Sequence, residues 1–521
     1  MADRTELIPL GGSQQRSDQV SLVETITNYI PVPVAPYIGA NKQLRLMKRR
    51  GVQSSVTTAA STFAISAATI WTGVPGTGAS PNTTRGTIIY SASDSGFTST
   101  RLYKYDSSVS TLGTFVSSAG GYVCIGLQET LISGTAAITA NIKTSIAPPY
   151  MQKVLYYPNA GTLAEVTSAP FTSTIGCGVH LDGYYFCAST DGTIKNTDLN
   201  SVSSVGANNS IAVQMEPDNL VGLAKLRNII VAFGTKSIEF FQNAGLSSGS
   251  PLQRIPQAPL KMGALHGRAL QELGENILFV SATPEGVAVH ILEGYSAKKI
   301  STPFIDNALS AAVGTSGFDT PVSGGITLAN GTGTGFLGVT KQQGVDFAVL
   351  CINAATNAGR LYGYSPALDA WITFQFFDGN TLIPGGFFQI GPQRFVHTTA
   401  RILWQDDAQN PTTTGYDYSA STFVAKIQTV PMTHGTARKK YYKSARLIGN
   451  LEISSTPVTL SYSDDNASTF TVAGTFDQAD NPPSVITRLG ASRSRVWQLS
   501  TASQGGSVID GLELVYEVGP T

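Results

Sequence analysis

Between residues 56 and 430 one pattern recurs: an apolar, β-branched or aromatic run, mostly four to seven residues long, is closed by turn residues and followed by another. GTIIYSAS, RLYKYD, GYVCIGL, KVLYYP, GYYFCAS, NIIVAFG, SIEFFQ, NILFVSA, VAVHIL, DFAVLCI, RLYGYS, AWITFQF, GGFFQI and RILWQD succeed one another in this way. Val, Ile, Thr and the aromatics suit a pleated, packed surface, and Gly, Pro, Asn and Asp supply the turns. Long helices need periodic arrays of Glu, Lys, Arg, Ala and Leu, which are missing here. Charged residues make up only 13% of the chain, about half the usual quarter. Ser and Thr take over as solubilising groups. The fold class that follows is all-β.

Two of the runs echo each other. RLYKYDSS (Arg101 to Ser108) and RLYGYSPALDAWITF (Arg360 to Phe374) both give Arg-Leu-Tyr-x-Tyr and then a polar turn. In the second copy a Trp opens the next strand. Short strands repeated in this way are how propeller blades read, and blades of ~40–50 residues would place roughly six to eight of them in this stretch. A β-sandwich or a β-helix would carry the same rhythm.

The two ends differ from the middle. YIPVPVAPYIG (Tyr29 to Gly39) holds three prolines between positions 31 and 36, which favours an extended, polyproline-like chain. Residues 1–55 therefore read as an extended N-terminal arm, docked on its own domain or on a neighbouring subunit. Deleting residues 1–50 should then leave a folded, β-rich remainder. LVETITNYI, just before the prolines, fits a short helix turn or a strand. At the other end, GLELVYEVG puts Leu512, Leu514, Tyr516 and Val518 on one face and Glu513, Val515 and Glu517 on the other. PVTLSYSDDNASTFTVAG reads as a hairpin around Asp464, Asp465 and Asn466. Residues 431–521 are expected to form a small C-terminal β-sandwich, with a propeller-like domain over 56–430.

Few residues suggest chemistry. The net charge is zero, which argues against a globally basic DNA-coating protein. Cys124, Cys177, Cys187 and Cys351 include no CxxC pair; Cys177 and Cys187 could bridge a hairpin, but free buried thiols are expected. The N-terminus shows no apolar signal region. Residues 51–84 carry no charge, yet Ser, Thr, Gly and Pro interrupt them too often for a span, so no stable membrane insertion is expected. His180, His266, His290, His397 and His434 are scattered without metal-ligand spacing. ANGTGTGFLG (Ala329 to Gly338) has a GxGxG pattern but no following helix to cradle a phosphate. SYSDDNASTF (Ser461 to Phe470) is similar to the Asp-box turn of sialidase-type propellers, with Asn466 where that turn usually has Gly. Such turns lock hairpins. Asp182 with Asp191, or Asp369 with Asp378, could in principle form the carboxylate pair of a glycosidase, but each stands where a turn Asp is ordinary. No catalytic residue, metal or cofactor is expected, and the chain does not read as an enzyme.

Two basic clusters remain. KQLRLMKRR carries Lys42, Arg45, Lys48, Arg49 and Arg50, and RKKYYKSAR interleaves cations with Tyr441 and Tyr442. The first adjoins the proline-rich arm, where it suits subunit docking or proximity to DNA. The second fits a solvated or subunit-facing strand, or a weak nucleic-acid surface.

LRNIIVAFGTKSIEFFQNAG (Leu226 to Gly245) is a strand, a turn and a strand. Ile238 and Phe240 should point inward, so Glu239 should point outward as an interface or turn partner. PLQRIPQAPLKMGALHGRAL follows, then ENILFVSATPEGVAVHILEGYSAKKISTPFIDNAL. This order resembles the packaged-DNA stabilisation proteins of short-tailed bacteriophages, also called tail hub, tail accessory or nozzle proteins. The residues that carry the resemblance are Gly234, Thr235, Ile238, Glu239, Phe240 and Gly245, then Ile300, Ser301, Thr302, Ile305, Asp306 and Leu309. Asn28, Tyr29 and Pro31 are similar to the family's N-terminal entry. The match is strongest over residues 215–310. After Gly51 the chain departs from the family, reading RRGVQSSVTT where an apolar strand and a Pro-Gly turn are usual.

The resemblance implies a virion tail protein assembled in the host cytoplasm. It implies a ring of six below the portal and its adaptor (the head-to-tail connector), which keeps packaged double-stranded DNA from leaking and channels its ejection. Its distal partners would be tail fibre, spike or needle proteins. A lumen that passes DNA should be mixed or mildly acidic, because each Lys or Arg on a phosphate adds salt-sensitive grip. The competing reading is a glycan-binding or glycan-degrading tail propeller, or else a general interaction scaffold.

Overall fold

The computed structural model describes residues 3–9, 23–33, 44–49, 53–57, 63–72, 86–94, 99–106, 108–116, 122–132, 135–144, 152–158, 164–165, 336–352, 360–375, 386–390, 393–397, 401–406 and 416–417, and, with breaks of one or two positions, 174–312 and 421–520. Among them the strands group in fours. Antiparallel four-stranded sets cover residues 63–116, 122–165, 174–212, 220–254, 270–299 and 336–374. A seventh set is built from three strands within 386–406 and a fourth, Gln53–Thr57, from far earlier in the chain. We number these blades I to VII.

The first strands of successive blades are neighbours around a closed circuit. Phe63–Trp71 lies beside Tyr122–Ile132, then come Thr174–Leu181, Leu220–Leu226, Leu270–Leu273, Phe336–Gln342 and Gly386–Ile390, which returns to Phe63–Trp71. The chain is therefore an all-β propeller, and its seventh blade is completed by the early strand. RRGVQSSVTT, which departs from the family pattern, contains that closing strand: Thr57 pairs with Arg401 and Val56 with Ile402. The echoing runs occupy one structural position, since Ser99–Asp106 and Arg360–Ser365 are the third strands of blades I and VI.

Among the described residues, blades I, IV and V share a core with both of their neighbours. Phe186, Ile194, Ile230 and Phe241 lie in a core shared by blades III and IV. Phe233, Phe240 and Phe279 lie in one shared by IV and V, with the Phe233 and Phe279 rings 5.3 Å apart. Ile65, Tyr90, Phe395 and Ile402 join blades I and VII. Removing one such Phe from water stabilises by about 1.5–3 kcal/mol. Packing on both faces explains why the runs are continuously apolar rather than alternating. In Ile229–Gly234 five consecutive residues are buried.

The described parts of 1–55 are also strands, and all pair within this chain. Arg4–Pro9 pairs with the last strand, Val508–Val518. Tyr29–Pro33 and Leu44–Lys48 form a hairpin on the same sheet. The hairpin's proline strand sits at the sheet edge, where a missing N–H is tolerated. Val23–Thr27 bridges blade VI and strand Ala425–Thr429. The terminal β-sandwich is thus made of the chain's first and last strands around one core that includes Ile8, Tyr29, Leu46, Trp497, Leu512 and Leu514. One of its sheets runs on into blade VI as a nine-stranded sheet. No helix among the described residues is long and apolar enough to cross a membrane.

Candidate functional site

Blade IV holds the hairpin singled out by sequence, and Glu239 there does not face solvent. It is 2% exposed. Its carboxylate accepts a bond from the Met215 amide at 2.9 Å and pairs with Arg254 Nε at 2.8 Å. Arg254 also donates to the Ala212 carbonyl at 3.0 Å. Glu239 lies on the face opposite Ile238 and Phe240, and that face too is covered by protein. The carboxylate fastens the segment between blades III and IV.

The other hairpin residues shape the same junction. Asp218 accepts bonds from the Lys236 and Ser237 amides, closing the 234–237 turn. A side chain at Gly234 would run into Asp218, and one at Gly263 would run into the Gly234–Thr235 backbone. The Ala264 amide bonds the Gly234 carbonyl at 2.9 Å, and the Thr235 amide bonds the Asn219 carbonyl at 2.9 Å. Ile238 pairs across to Leu260. Phe240 lies edge-on to Tyr295 at 5.0 Å. Gly245 takes φ +66°, and its amide bonds Asn243 Oδ1, while Asn243 Nδ2 reaches Asp182 of blade III at 2.9 Å.

The stretch from Ile300 to Leu309 is a helix entry. Thr302 caps the helix Pro303–Ala312, with the Ile305 amide aimed at its hydroxyl at 3.5 Å and Pro at the first helical position. Ser301 Oγ bonds both the Val289 amide and Asp306, and Lys299 pairs with Asp306 at 2.6 Å. The Ile300 carbonyl accepts from Trp371 Nε1 at 2.8 Å. Buried Ile305 and Leu309, one turn apart, seat the helix against blades V and VI.

The three described cations of the first basic cluster, Arg45, Lys48 and Arg49, have partners within the chain. Arg49 is 2% exposed; it bonds Asn28 Oδ1 at 3.0 Å and the Gln375 carbonyl at 2.5 Å, and its guanidinium lies 3.8 Å from the Phe423 ring centroid. Lys48 is buried over the same ring and donates to the Ser503 carbonyl. Arg45 forms a two-point pair with Asp510 at 2.7 and 3.1 Å. Lys42 and Arg50 lie outside the described residues. Asn28 is the centre of this seam, with φ 58°. It bonds Gln375 in blade VI, Val424 at the start of the sandwich, and Arg49. Tyr29 meets Ser507 at 3.0 Å. Arg49 joins propeller to sandwich, while Arg45 and Lys48 hold the hairpin on the sandwich itself. The second cluster is mixed: Lys440 is buried against the Thr436 and Arg493 carbonyls, and burial pulls its pKa down, while Tyr441 is exposed.

At the propeller axis a cavity of about 330 Å³ is bordered by Leu127, Gly178, Gly222, Gly267, Gly338 and Gly386 among others.

The described carboxylates considered for catalysis have structural partners. Asp191 pairs with Lys195 at 2.8 Å and accepts from Thr193. Burial pushes the Asp191 carboxyl up, but these bonds outweigh that and hold it at about 2. Asp369 accepts from the Tyr364 hydroxyl at 2.8 Å. Asp378 and residues 329–335 of the glycine-rich loop lie outside the described residues. Cys124, Cys187 and Cys351 are buried thiols outside any disulfide, and the side chain of Cys177 lies outside the described residues. His434 meets Glu6 at 2.7 Å and Tyr442 at 3.0 Å. His290 meets Ser281 at 2.9 Å, and burial lowers its pKa. Among the described residues no group of His, Cys, Asp and Glu could hold a metal.

Residues 123–314 match the family model of the bacteriophage P22 Gp10 beta-propeller, Phage_stabilise. The matched span runs from blade II to the helix after blade V, and so contains both the Glu239 junction and the Thr302 cap. It supports a structural protein of a bacteriophage. No curated protein matches the sequence. Among solved structures, the WD40 beta propeller domain of Doa1 is similar at 10% identity and a TM-score of 0.40, over 69% of this chain and 98% of that one. A chain of the Mitotic Checkpoint Complex is similar at 10% identity and 0.34, over 62% and 87%. At these scores neither bears on function.

In the Asp-box-like turn, sequence reasoning misplaced one residue. Ser463 Oγ accepts from the Ala467 amide at 2.9 Å, and Asp465 accepts from the Thr469 amide at 2.9 Å. Ala467, at φ +67°, therefore stands at the glycine position, with Asn466 beside it at φ +60°. Arg495 was missed altogether. It is buried, pairs with Asp464 at 2.7 Å, and lies over Tyr462 at 3.9 Å and Tyr442 at 4.8 Å. Its signal in the sequence was only an Arg beside a strand Trp.

Proposed function

We propose that this chain is the tail hub, or nozzle, subunit of a short-tailed phage. Six copies form a ring below the portal and adaptor, retain the packaged DNA, and line the path of its ejection. The observation that carries this reading is the match of residues 123–314 to the P22 Gp10 propeller family. The blade junctions support a rigid building block, because buried ion pairs and glycine contacts fix one blade against the next. DNA would pass through the lumen between copies. The protein acts without catalysis in this reading, and its distal face carries fibre, spike or needle proteins. Electron microscopy of particles should show six copies around the tail axis, and particles lacking the protein should lose DNA. A stoichiometry other than a ring, or full DNA retention without the protein, would sink it.

A further inference from the structure

Among the described residues, the N-terminal strand Arg4–Pro9 lies at an edge, paired to the C-terminal strand alone. Asp3, Arg4, Thr5 and Leu7 are exposed, Glu6 is half-buried, and Ile8 is buried in the sandwich core. Its attachments are backbone pairing with Gly511 to Tyr516, the Glu6 carboxylate meeting His434 and the Tyr516 hydroxyl, and the ion pair of Asp3 with Lys443. The other end of that edge of the C-terminal strand is taken by Leu46 and Met47, opposite Ile509 and Val508. The Gly511–Tyr516 edge is thus a socket for one six-residue strand. Residues 10–22 join Pro9 to Val23. Thirteen residues can span up to about 45 Å, against a radius of gyration of roughly 24 Å for a folded chain of this length.

We propose that Arg4–Pro9 is an exchangeable strand, which in the assembled ring seats on the Gly511–Tyr516 edge of a second copy. The inference rests on the ring reading above and names the contact that closes it. An exchanged strand makes the same pairings, places the same Ile8 and presents the same Glu6 as an unexchanged one, so exchange sacrifices no contact and adds a link between subunits. It also gives a ring its direction, because each copy donates one strand and receives one, a head-to-tail arrangement that closes when the rotation fits. With 34 basic and 34 acidic residues, net charge supplies little long-range attraction, and a shape-specific strand and socket can set the register instead.

The test is a cysteine cross-link across the socket. Leu7 lies opposite Glu513, and Thr5 opposite Val515. Cβ atoms of opposite residues are about 4.5–5.5 Å apart, close to the reach of a disulfide. Neither pair belongs to the fully buried core. Full-length Leu7→Cys/Glu513→Cys and, separately, Thr5→Cys/Val515→Cys are oxidised, fractionated by size and run on denaturing gels without reductant. The expected result is a ladder of covalently joined chains from the assembled fraction and a single cross-linked chain from any monomer, with the ladder lost in each single-cysteine control. An assembled fraction that yields only intrachain links with both pairs overturns the exchange and leaves the ring standing. If light scattering finds no assembled species in solution, the same oxidation is run on purified particles carrying the cysteine pairs: intrachain links alone overturn the exchange, and a particle without a ring of this chain by electron microscopy overturns the reading it rests on.

Discussion

Arg254 is the side chain whose loss should be felt most clearly in the matched region, because it would strand a carboxylate that is 2% exposed. Removing one partner of a buried pair costs about 3–5 kcal/mol, and the partial exposure of Arg254 places Arg254→Ala toward the bottom of that range. Glu239→Gln, which keeps an acceptor for the Met215 amide, should cost roughly 1–2 kcal/mol. Urea denaturation of both variants checks this, and equal midpoints would show that the pair matters little. Ala467 carries the opposite prediction. An Ala at φ +67° is strained where Gly is not, so Ala467→Gly should stabilise by about 0.5–1 kcal/mol, seen as a higher midpoint at unchanged slope. The same turn sets an acid limit. Bonds from Ser463 and then Thr469 hold the Asp465 carboxyl at about 2, and Asp191 is held at about 2 as well. A carboxylate depressed by folding contributes stability above its unfolded value near 3.8, and that contribution is lost as pH falls toward 2. Melting temperature should therefore hold level down to about pH 5 and drop between about 4 and 2. Asp465→Asn should flatten that drop; an unchanged acid profile would exclude Asp465 as a contributor.

At the scale of elements, the early strands are structural parts of distant sheets. Gln53–Thr57 completes blade VII, and Tyr29–Pro33 with Leu44–Lys48 covers the sandwich core. Deleting residues 1–57 should give insoluble protein, because blade VII loses a strand and Tyr29, Ile30, Leu46 and Arg49 leave buried positions. Deleting residues 1–9 alone should leave a soluble, β-rich chain by circular dichroism, since it removes little buried surface besides Ile8. A soluble, cooperatively folding 58–521 fragment would show that the early segment is dispensable, as an independent arm would be.

For the molecule as a whole, the internal use of Arg45, Lys48 and Arg49 lowers the expectation of DNA grip. Duplex binding by the purified protein should be weak, with a shallow dependence on salt, because few cations in this cluster are left for phosphates. Gel-shift titrations at two ionic strengths check this. Tight binding that weakens steeply with salt would place DNA contact on other basic residues, and would contradict a low-friction channel.

The sequence by itself determined the fold class, the repeated blade and the turn chemistry. These are local properties: strand propensity, glycine and proline punctuation, and period-two faces such as Leu512, Leu514 and Tyr516 are written within a few residues. The Arg-Leu-Tyr-x-Tyr echo was legible for the same reason, since one strand position repeats one environment. Only the tertiary structure decided that Glu239 is inside, because alternation says which way a side chain points but not whether another blade covers that face. It also decided that residues 1–55 contribute strands to the chain's own sheets, and that Arg49 serves a seam. Pairings such as Arg4 with Tyr516 or Thr57 with Arg401 join residues hundreds of positions apart. They are fixed by which edges and cavities the rest of the fold leaves open, and no local pattern carries that information.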